Sequence, residues 1–211
     1  MNKKLLTIPA TAIAAAIALA GCAADSGQGT VPGMSHGSSG PMSSGAASSM
    51  SPDSSANHNA ADIMFAQMMI PHHAQAVEMS DLMLAKADIP QAVATLATRI
   101  KAAQAPEIQQ MEDWLKSWNQ PTGMMTDHAM PGNSMTGMVD QADLDKLKAA
   151  QGTEAVRLFL TQMIAHHEGA IAMATTETTS GKHADAVALS KAIITAQEAE
   201  IAEMKALLAA L

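Results

Sequence analysis

Two pairs of adjacent histidines stand among methionines in this sequence, and the second pair repeats the first. His72 and His73 lie in the stretch QMMIPHHAQAVEM, and His166 and His167 lie 94 residues later in QMIAHHEGAIAM. Thioether and imidazole donors without a thiolate suit copper: Cu(I) above all, and Cu(II) through the histidines. The pattern therefore predicts a copper-binding protein.

The spacing around each pair allows both donor types to converge on one face of a helix. Met69 precedes His72 by three residues and His73 by four, which are the separations that share a helix face. Met79 follows His72 by seven residues, about 10 Å further along the helix axis, and would serve a different site or a partner helix. The second repeat has the same spacings at Met163, His166, His167 and Met173.

A second motif, Q-x-x-E-I-x-x-M, follows each histidine pair and offers further donors. Its candidate ligands are Glu107 and Met111 in the first repeat, with Glu200 and Met204 in the second. Adjacent residues on a helix diverge by about 100°, so we expect one histidine of each pair to point further inward than the other. The alternative for that inward histidine is a structural hydrogen bond to the opposing glutamate.

Methionine has a second interpretation as flexible core filler, which matters in a chain with only two Phe and two Trp. Many methionines nevertheless lie in Gly-, Ser- and Pro-rich sequence that cannot form a core. They are Met34, Met42 and Met50 near His36 and His58, and Met124, Met125, Met130, Met135 and Met138 near His128. Packing does not explain these residues, whereas soft-metal capture or oxidant scavenging would.

Other chemistries find little support in the sequence. A di-iron carboxylate centre needs Glu-x-x-His on two helices, and none of the eight histidines has an acid three residues before it. Linear zinc motifs, a Gly-x-Ser-x-Gly elbow and a Gly-rich phosphate loop are also absent from the sequence. We therefore expect a binding protein and not an enzyme.

Good helix formers dominate from Ala61 onward, and they must position these donors. The pattern predicts four long helices, over about 62–87, 90–118, 154–178 and 184–210, with a short helix over 140–150. Each repeat then forms a helical hairpin, and two hairpins form an all-α four-helix bundle over 61–211. Repeat one covers 61–118, a Met-rich loop 119–139 and repeat two 153–211. We expect Pro71 to kink the first helix.

The first 60 residues predict export and anchoring. Residues 1–21 have the charged and apolar regions of a signal peptide, and the sequence LAGC resembles the lipobox of bacterial lipoproteins, which implies lipidation of Cys22. Residues 22–60 read as a disordered Ser/Gly/Met tether. Removing 1–21 takes away two lysines and no acid, which changes the net charge from −8 to −10 and argues against nucleic-acid binding. The expected location is the bacterial cell envelope, outside the cytoplasm and anchored to the membrane.

The combined motifs, F-x-x-x-M-I-x-H-H-x-x-A-[IV]-x-M and Q-x-x-E-I-x-x-M, resemble the bacterial domain of unknown function 305 family of CopM-like copper-binding proteins. The resemblance implies a ferritin-like four-helix bundle that binds copper outside the cytoplasm. By position it implies ligands at Met69, His72, His73, Met79, Met163, His166, His167 and Met173, with Met111 and Met204 fitting the second motif. Pro71 and Pro106 depart from repeat two, which has Ala165 and Ala199 there.

Two functions remain open from the sequence. The first is an extracytoplasmic lipoprotein that buffers, sequesters or passes on copper, with a metal-delivery protein as an unidentified candidate partner. The second is a non-metal interaction or structural module of the envelope, in which methionines fill the core and scavenge oxidants.

Overall fold

A computed structural model of the chain describes residues 57–123 and 136–211. The described residues all belong to one compact unit. The predicted signal peptide, Cys22, most of the tether and the loop residues 124–135 lie outside the described residues, so expectations about them stay predictions. No helix in the described ranges is long and apolar enough to cross a membrane.

The described residues form five helices: α1 (Ala60–Leu84), α2 (Gln91–Ser117), α3 (Gln141–Ala149), α4 (Gly152–Ser180) and α5 (Ala184–Ala209). Helices account for 81% of the described residues, which contain no strand. The all-α prediction is confirmed. The α1 helix ends at Leu84, three residues earlier than expected, and Asp88 in the following turn has a positive φ of 58°.

The start of α1 is fixed by a capping box. The Asn59 side chain accepts from the backbone N–H groups of Ala61 and Asp62, at 2.7 and 3.2 Å, while the Asp62 carboxylate accepts from the Asn59 N–H. His58 is also buried and stacks on Trp118, with 4.6 Å between ring centroids. The bundle thus includes His58, which the sequence had assigned to the tether.

The helices assemble as two hairpins, α1–α2 and α4–α5, joined mainly through the contact between α1 and α4. The start of α1 meets the end of α4, where the Asn59 side chain donates to the Ser180 carbonyl at 2.8 Å, so these two helices run antiparallel. The α2 and α5 helices approach less closely, and Arg99 of α2 pairs with Glu203 of α5 there. The predicted four-helix bundle of two repeated hairpins is confirmed.

The buried apolar side chains form two clusters. Along both α1 and α4, the histidine pair comes near the middle of the helix, between the residues of one cluster and those of the other; we call these four histidines the histidine layer. The Met69 cluster, toward the start of α1, contains Phe65, Met69, Met111, Leu115 and Ile193 among others. The Met163 cluster, toward the other end, contains Met79, Leu96, Phe159, Met163 and Met204, and it also takes in Leu144 and Leu147 of α3. Full burial of one such side chain contributes about 1.5–3 kcal/mol, so these clusters hold the four helices together around the histidines.

Two prolines of the first hairpin, Pro71 and Pro106, lie inside helices. The α1 helix continues through Pro71, and α2 continues through Pro106. Because proline has no N–H, each removes one backbone hydrogen bond without ending its helix. The kink expected at Pro71 stays a prediction.

Candidate metal site

All four histidines of the two pairs are fully buried. The expectation that one member of each pair would point further inward is wrong, because α1 and α4 each pack against two other long helices of the bundle. The 100° divergence turns His73 toward α2 and His72 toward α4. In the second repeat, His167 turns toward α5 and His166 toward α1.

The second histidine of each pair is held by the glutamate of the motif that follows it. His73 Nε2 lies 2.8 Å from Glu107 Oε2, and His167 Nε2 lies 2.8 Å from Glu200 Oε2. A carboxylate only accepts hydrogen bonds, so Nε2 is the protonated donor, and in the neutral form of the ring Nδ1 carries a lone pair. Both Nδ1 atoms are buried without a hydrogen-bond partner among the described residues.

The first histidines of the two pairs face each other across the contact between α1 and α4. The His72 and His166 rings have centroids 3.7 Å apart and planes inclined by 38°. All four of their ring nitrogens are buried, and none has a hydrogen-bond partner in the described residues. Leaving one such group unsatisfied costs about 1–3 kcal/mol, so this arrangement calls for an explanation beyond packing.

Burial keeps both of these rings neutral. Desolvation, with charge repulsion from His73 as the second cause, lowers the pKa of His72 to about 3. Desolvation, followed by repulsion from His72, holds the pKa of His166 well below its usual value. At neutral pH the two imidazoles therefore carry lone pairs, which is the state that a metal ion requires.

Thioethers lie on either side of this histidine layer. Met69 and Met111 belong to the Met69 cluster, and Met163 and Met204 occupy the equivalent places in the Met163 cluster. Met69 is three residues from His72, about 5 Å along the helix axis. All four of these methionine side chains are fully buried.

The remaining two predicted thioethers lie further from the histidines of their own helices. Met79 and Met173 are each seven residues beyond the first histidine of their repeat, which is about 10 Å along the axis. Met79 is buried in the Met163 cluster, whereas Met173 is half-buried against the Met69 cluster. Met79 and Met69 of the first repeat therefore lie in different clusters, and so do Met173 and Met163 of the second repeat.

Imidazoles and carboxylates do not form a metal cluster by themselves in residues 57–123 and 136–211. No group of three or more His, Cys, Asp or Glu side chains there is arranged to hold an ion. Glu107 and Glu200, which the sequence offered as ligands, bind histidine Nε2 atoms. The buried methionines of the two clusters are the further donors that the described residues offer to an ion at the His72–His166 pair.

The segment 136–139 passes over the histidine pair, a feature that sequence reasoning missed. Gln75 binds the backbone of Val139 twice, donating to its carbonyl and accepting from its N–H, each at 2.8 Å. On the α4 side, a Cβ at Gly169 would overlap the carbonyl of Thr136, so only glycine admits this approach. The Thr136 backbone lies close enough to the His72 ring to offset part of the lowering of the His72 pKa. The contact does not have the geometry of a hydrogen bond.

A difference between the two sequence repeats marks the place where this segment packs. Gln75 and Gly169 occupy equivalent positions of the two repeats, 94 residues apart, and a long polar side chain in one repeat matches no side chain in the other. One supplies a side chain that binds the segment, and the other supplies the space that it occupies. The site is thus nearly two-fold symmetric below the segment and asymmetric where the segment covers it.

A second feature missed from the sequence is a buried pair of acids, Asp62 and Glu177. Asp62 accepts from the backbone N–H groups of Lys182 and His183 at 3.0 and 2.8 Å. Burial alone would raise the pKa of Asp62, but its hydrogen bonds, that with Glu177 foremost, lower it. Burial, reinforced by Asp62, raises the pKa of Glu177 to about 8. Asp62 is therefore the ionised member and Glu177 the protonated one.

Comparison with known proteins places the chain among related sequences and structures. The family described as "Domain of unknown function (DUF305)" matches residues 62–208, which include both repeats. Comparison with curated proteins found no match.

Several solved structures, two of them DUF305 proteins, are similar over most of the described residues. A DUF305 protein from Streptomyces coelicolor, classed as secreted, is 34% identical, with a TM-score of 0.65, covering 71% of this chain and 91% of that one. A DUF305 fragment from Deinococcus radiodurans is 32% identical, with a TM-score of 0.64 and coverage of 72% and 98%. CopM in its Cu(I)-bound form is 35% identical, with a TM-score of 0.56 and coverage of 69% and 94%. CopM has also been solved with Cu(II), with silver and without metal.

Proposed function

The chain belongs to the DUF305 family, and within it we propose that the protein is an extracytoplasmic copper-binding protein. Cu(I) is the favoured cargo, held at the His72–His166 pair with thioethers from the flanking methionines. The role is to sequester or pass on the ion and not to catalyse a reaction.

One observation carries the proposal: two fully buried imidazoles face each other with four ring nitrogens that have no partner in the described residues. A purely structural layer would satisfy these nitrogens or replace them with apolar groups. A bound cation gives the lone pairs a partner. Histidine and methionine without thiolate select copper among the biological metals.

The donors divide into ligands and orienting groups in this proposal. His72 and His166 provide nitrogen, and the methionine pairs Met69/Met111 and Met163/Met204 provide sulfur from opposite sides. His73 and His167 can add nitrogen through Nδ1, because Nε2 is held by Glu107 or Glu200. A carboxylate on the far side of an imidazole fixes its tautomer and raises its basicity. The two glutamates therefore orient the histidines and do not bind the ion themselves. The nitrogen donors would also accept Cu(II).

The relatives support the same cargo and location. CopM, at about 35% identity, was solved with Cu(I), Cu(II) and silver, which share a preference for soft or imidazole donors. The Streptomyces coelicolor relative is classed as secreted, in keeping with the signal peptide read in residues 1–21. We extend the proposal to membrane anchoring through a lipid on Cys22.

A second candidate, the structural module, is favoured by one observation. Met69, Met79, Met111, Met163 and Met204 are all fully buried in the two apolar clusters, where they fill space as leucine would. This function predicts that the histidine pair is dispensable for any response to copper.

Competition with a chromogenic Cu(I) chelator distinguishes the two functions. We expect the wild-type protein to withdraw Cu(I) from the chelator and the His72→Leu/His166→Leu variant to lose at least about 100-fold in affinity, the upper end of what losing an orienting partner costs. His183→Asn is the matched control, because it removes an imidazole far from the pair and asparagine can still cap α5. Equal affinity of wild type and double variant would contradict the proposal.

A further inference from the structure

A groove of about 460 Å³ runs between the first half of α1 and the last third of α4. Its wall contains three methionines: Met64 and Met68 from α1, and Met173 from α4. Phe65 and Glu177 also line it. The histidine pair does not line this groove.

The pseudo-two-fold symmetry shows that this surface is unusual. The equivalent surface at the other end of the bundle lies under α3, which buries Leu144 and Leu147 in the Met163 cluster. There, Leu158 and Gln162 occupy the positions of Met64 and Met68, and the Gln162 side chain donates to the Asp143 carbonyl of α3 at 3.0 Å. No described helix covers the groove itself.

The three methionines remain accessible, in contrast to those of the core. Met64 is 58% exposed, and Met68 and Met173 are half-buried. Met64 and Met68 are four residues apart and share a face of α1, and Met173 lines the same groove from α4. Methionine has three rotatable bonds and a polarisable sulfur, so the exposed Met64 side chain can fold toward the other two.

The chemistry of the groove suits a soft monovalent cation. Three thioethers and one carboxyl group, that of Glu177, line it. Thioethers are neutral and soft, so they bind Cu(I) or Ag(I) in preference to hard divalent ions.

We propose that Met64, Met68 and Met173 form a second, surface-accessible site for a soft monovalent cation, Cu(I) or Ag(I), separate from the histidine pair. The inference rests on the proposed function only for the choice of copper as the biological ion. The groove site would exchange its ion with solution more readily than the covered pair, because Met64 is open to solvent.

Silver titration followed by NMR of ε-¹³C-methyl-labelled methionine tests the site. We expect added Ag(I) to shift the methyl signals of Met64, Met68 and Met173 together, and the Met64→Leu/Met68→Leu variant to bind one fewer Ag(I) and Cu(I) than wild type. Met83→Leu is the matched control, because it removes a buried thioether of the Met163 cluster with little change in volume.

The outcomes separate this inference from the proposed function. If the groove variant binds as many ions as wild type, or the three methyl signals stay unshifted, the groove site is wrong whatever the histidine pair does. If these signals respond to protein concentration but not to silver, the groove is an interface between copies and the inference is also wrong. Loss of binding in His72→Leu/His166→Leu beside intact groove signals supports two separate sites. Unchanged binding in His72→Leu/His166→Leu contradicts the proposed function and does not bear on the groove site.

Discussion

The imidazole of His72 lies against that of His166, 3.7 Å away between ring centroids, and neither ring has a hydrogen-bond partner among the described residues. The two residues occupy the same position in the two repeats. Neither hairpin alone can form this contact, because it arises only where α1 packs against α4. A metal ion held there would therefore join the two halves of the bundle.

Replacing the pair should stabilise the metal-free protein. In His72→Leu/His166→Leu, four unsatisfied ring nitrogens are removed and side chains of similar volume are added, so we expect a gain of about 1–3 kcal/mol or more in unfolding free energy. Urea denaturation without metal measures it. His73→Leu is the control and should destabilise, because it loses the bond to Glu107. A large loss of stability in the double variant would mean that the pair is structural.

The bond between His167 and Glu200 should be worth more than a surface ion pair. Glu200→Leu leaves His167 Nε2 buried without its 2.8 Å partner, and we expect a loss of about 1–3 kcal/mol in thermal or urea unfolding. Glu203→Leu removes the exposed pair with Arg99 and should cost less than about 1 kcal/mol. Similar costs for the two variants would refute the role given to Glu200.

The segment 136–139 should pack less tightly when Gly169 is given a side chain. Gly169→Ala places a Cβ against the Thr136 carbonyl, so we expect the segment 136–139 to move away and its amides to exchange hydrogen faster. Gln75→Leu, which loses both bonds to Val139, should produce the same change. Gly123→Ala is the control, because no atom lies within 4 Å of its added Cβ. Unchanged exchange in both variants would contradict the contact.

The acid pair should make the protein less stable at alkaline pH. Folding raises the pKa of Glu177 from 4.5 to about 8, so its contribution to stability is complete below about 4.5 and is lost as the pH rises through about 8. Glu177→Gln cannot ionise, and we expect its unfolding free energy to fall less between about pH 5 and pH 8. Glu168→Gln, at an exposed position, is the control. Parallel profiles for wild type and Glu177→Gln would contradict the shifted pKa.

Much of the fold follows from the sequence because its determinants are local or repeated. Helix formers and the 94-residue repeat identify the two hairpins, and the spacing from His73 to Glu107 recurs almost unchanged from His167 to Glu200. The glutamate contacts weighed as an alternative from the sequence are present in both repeats. They follow from helix periodicity within one hairpin.

The central contact could not be predicted in the same way. Which histidine meets which depends on how α1 packs on α4, and no local pattern encodes the relative placement of two hairpins. The segment over the pair depends on Gln75 and Gly169, whose roles appear only when a distant loop end reaches them. Likewise, the Asp62–Glu177 pair joins residues 115 positions apart at opposite ends of two helices.

X-ray absorption at the copper edge tests the central claim most directly. The sample is the Met64→Leu/Met68→Leu protein with one equivalent of Cu(I), so that the groove does not contribute. We predict a first shell that contains both nitrogen and sulfur, and fewer nitrogen neighbours in the same protein carrying His72→Leu/His166→Leu. A shell of sulfur alone, or one that is the same with and without the histidine pair, would contradict copper binding between His72 and His166.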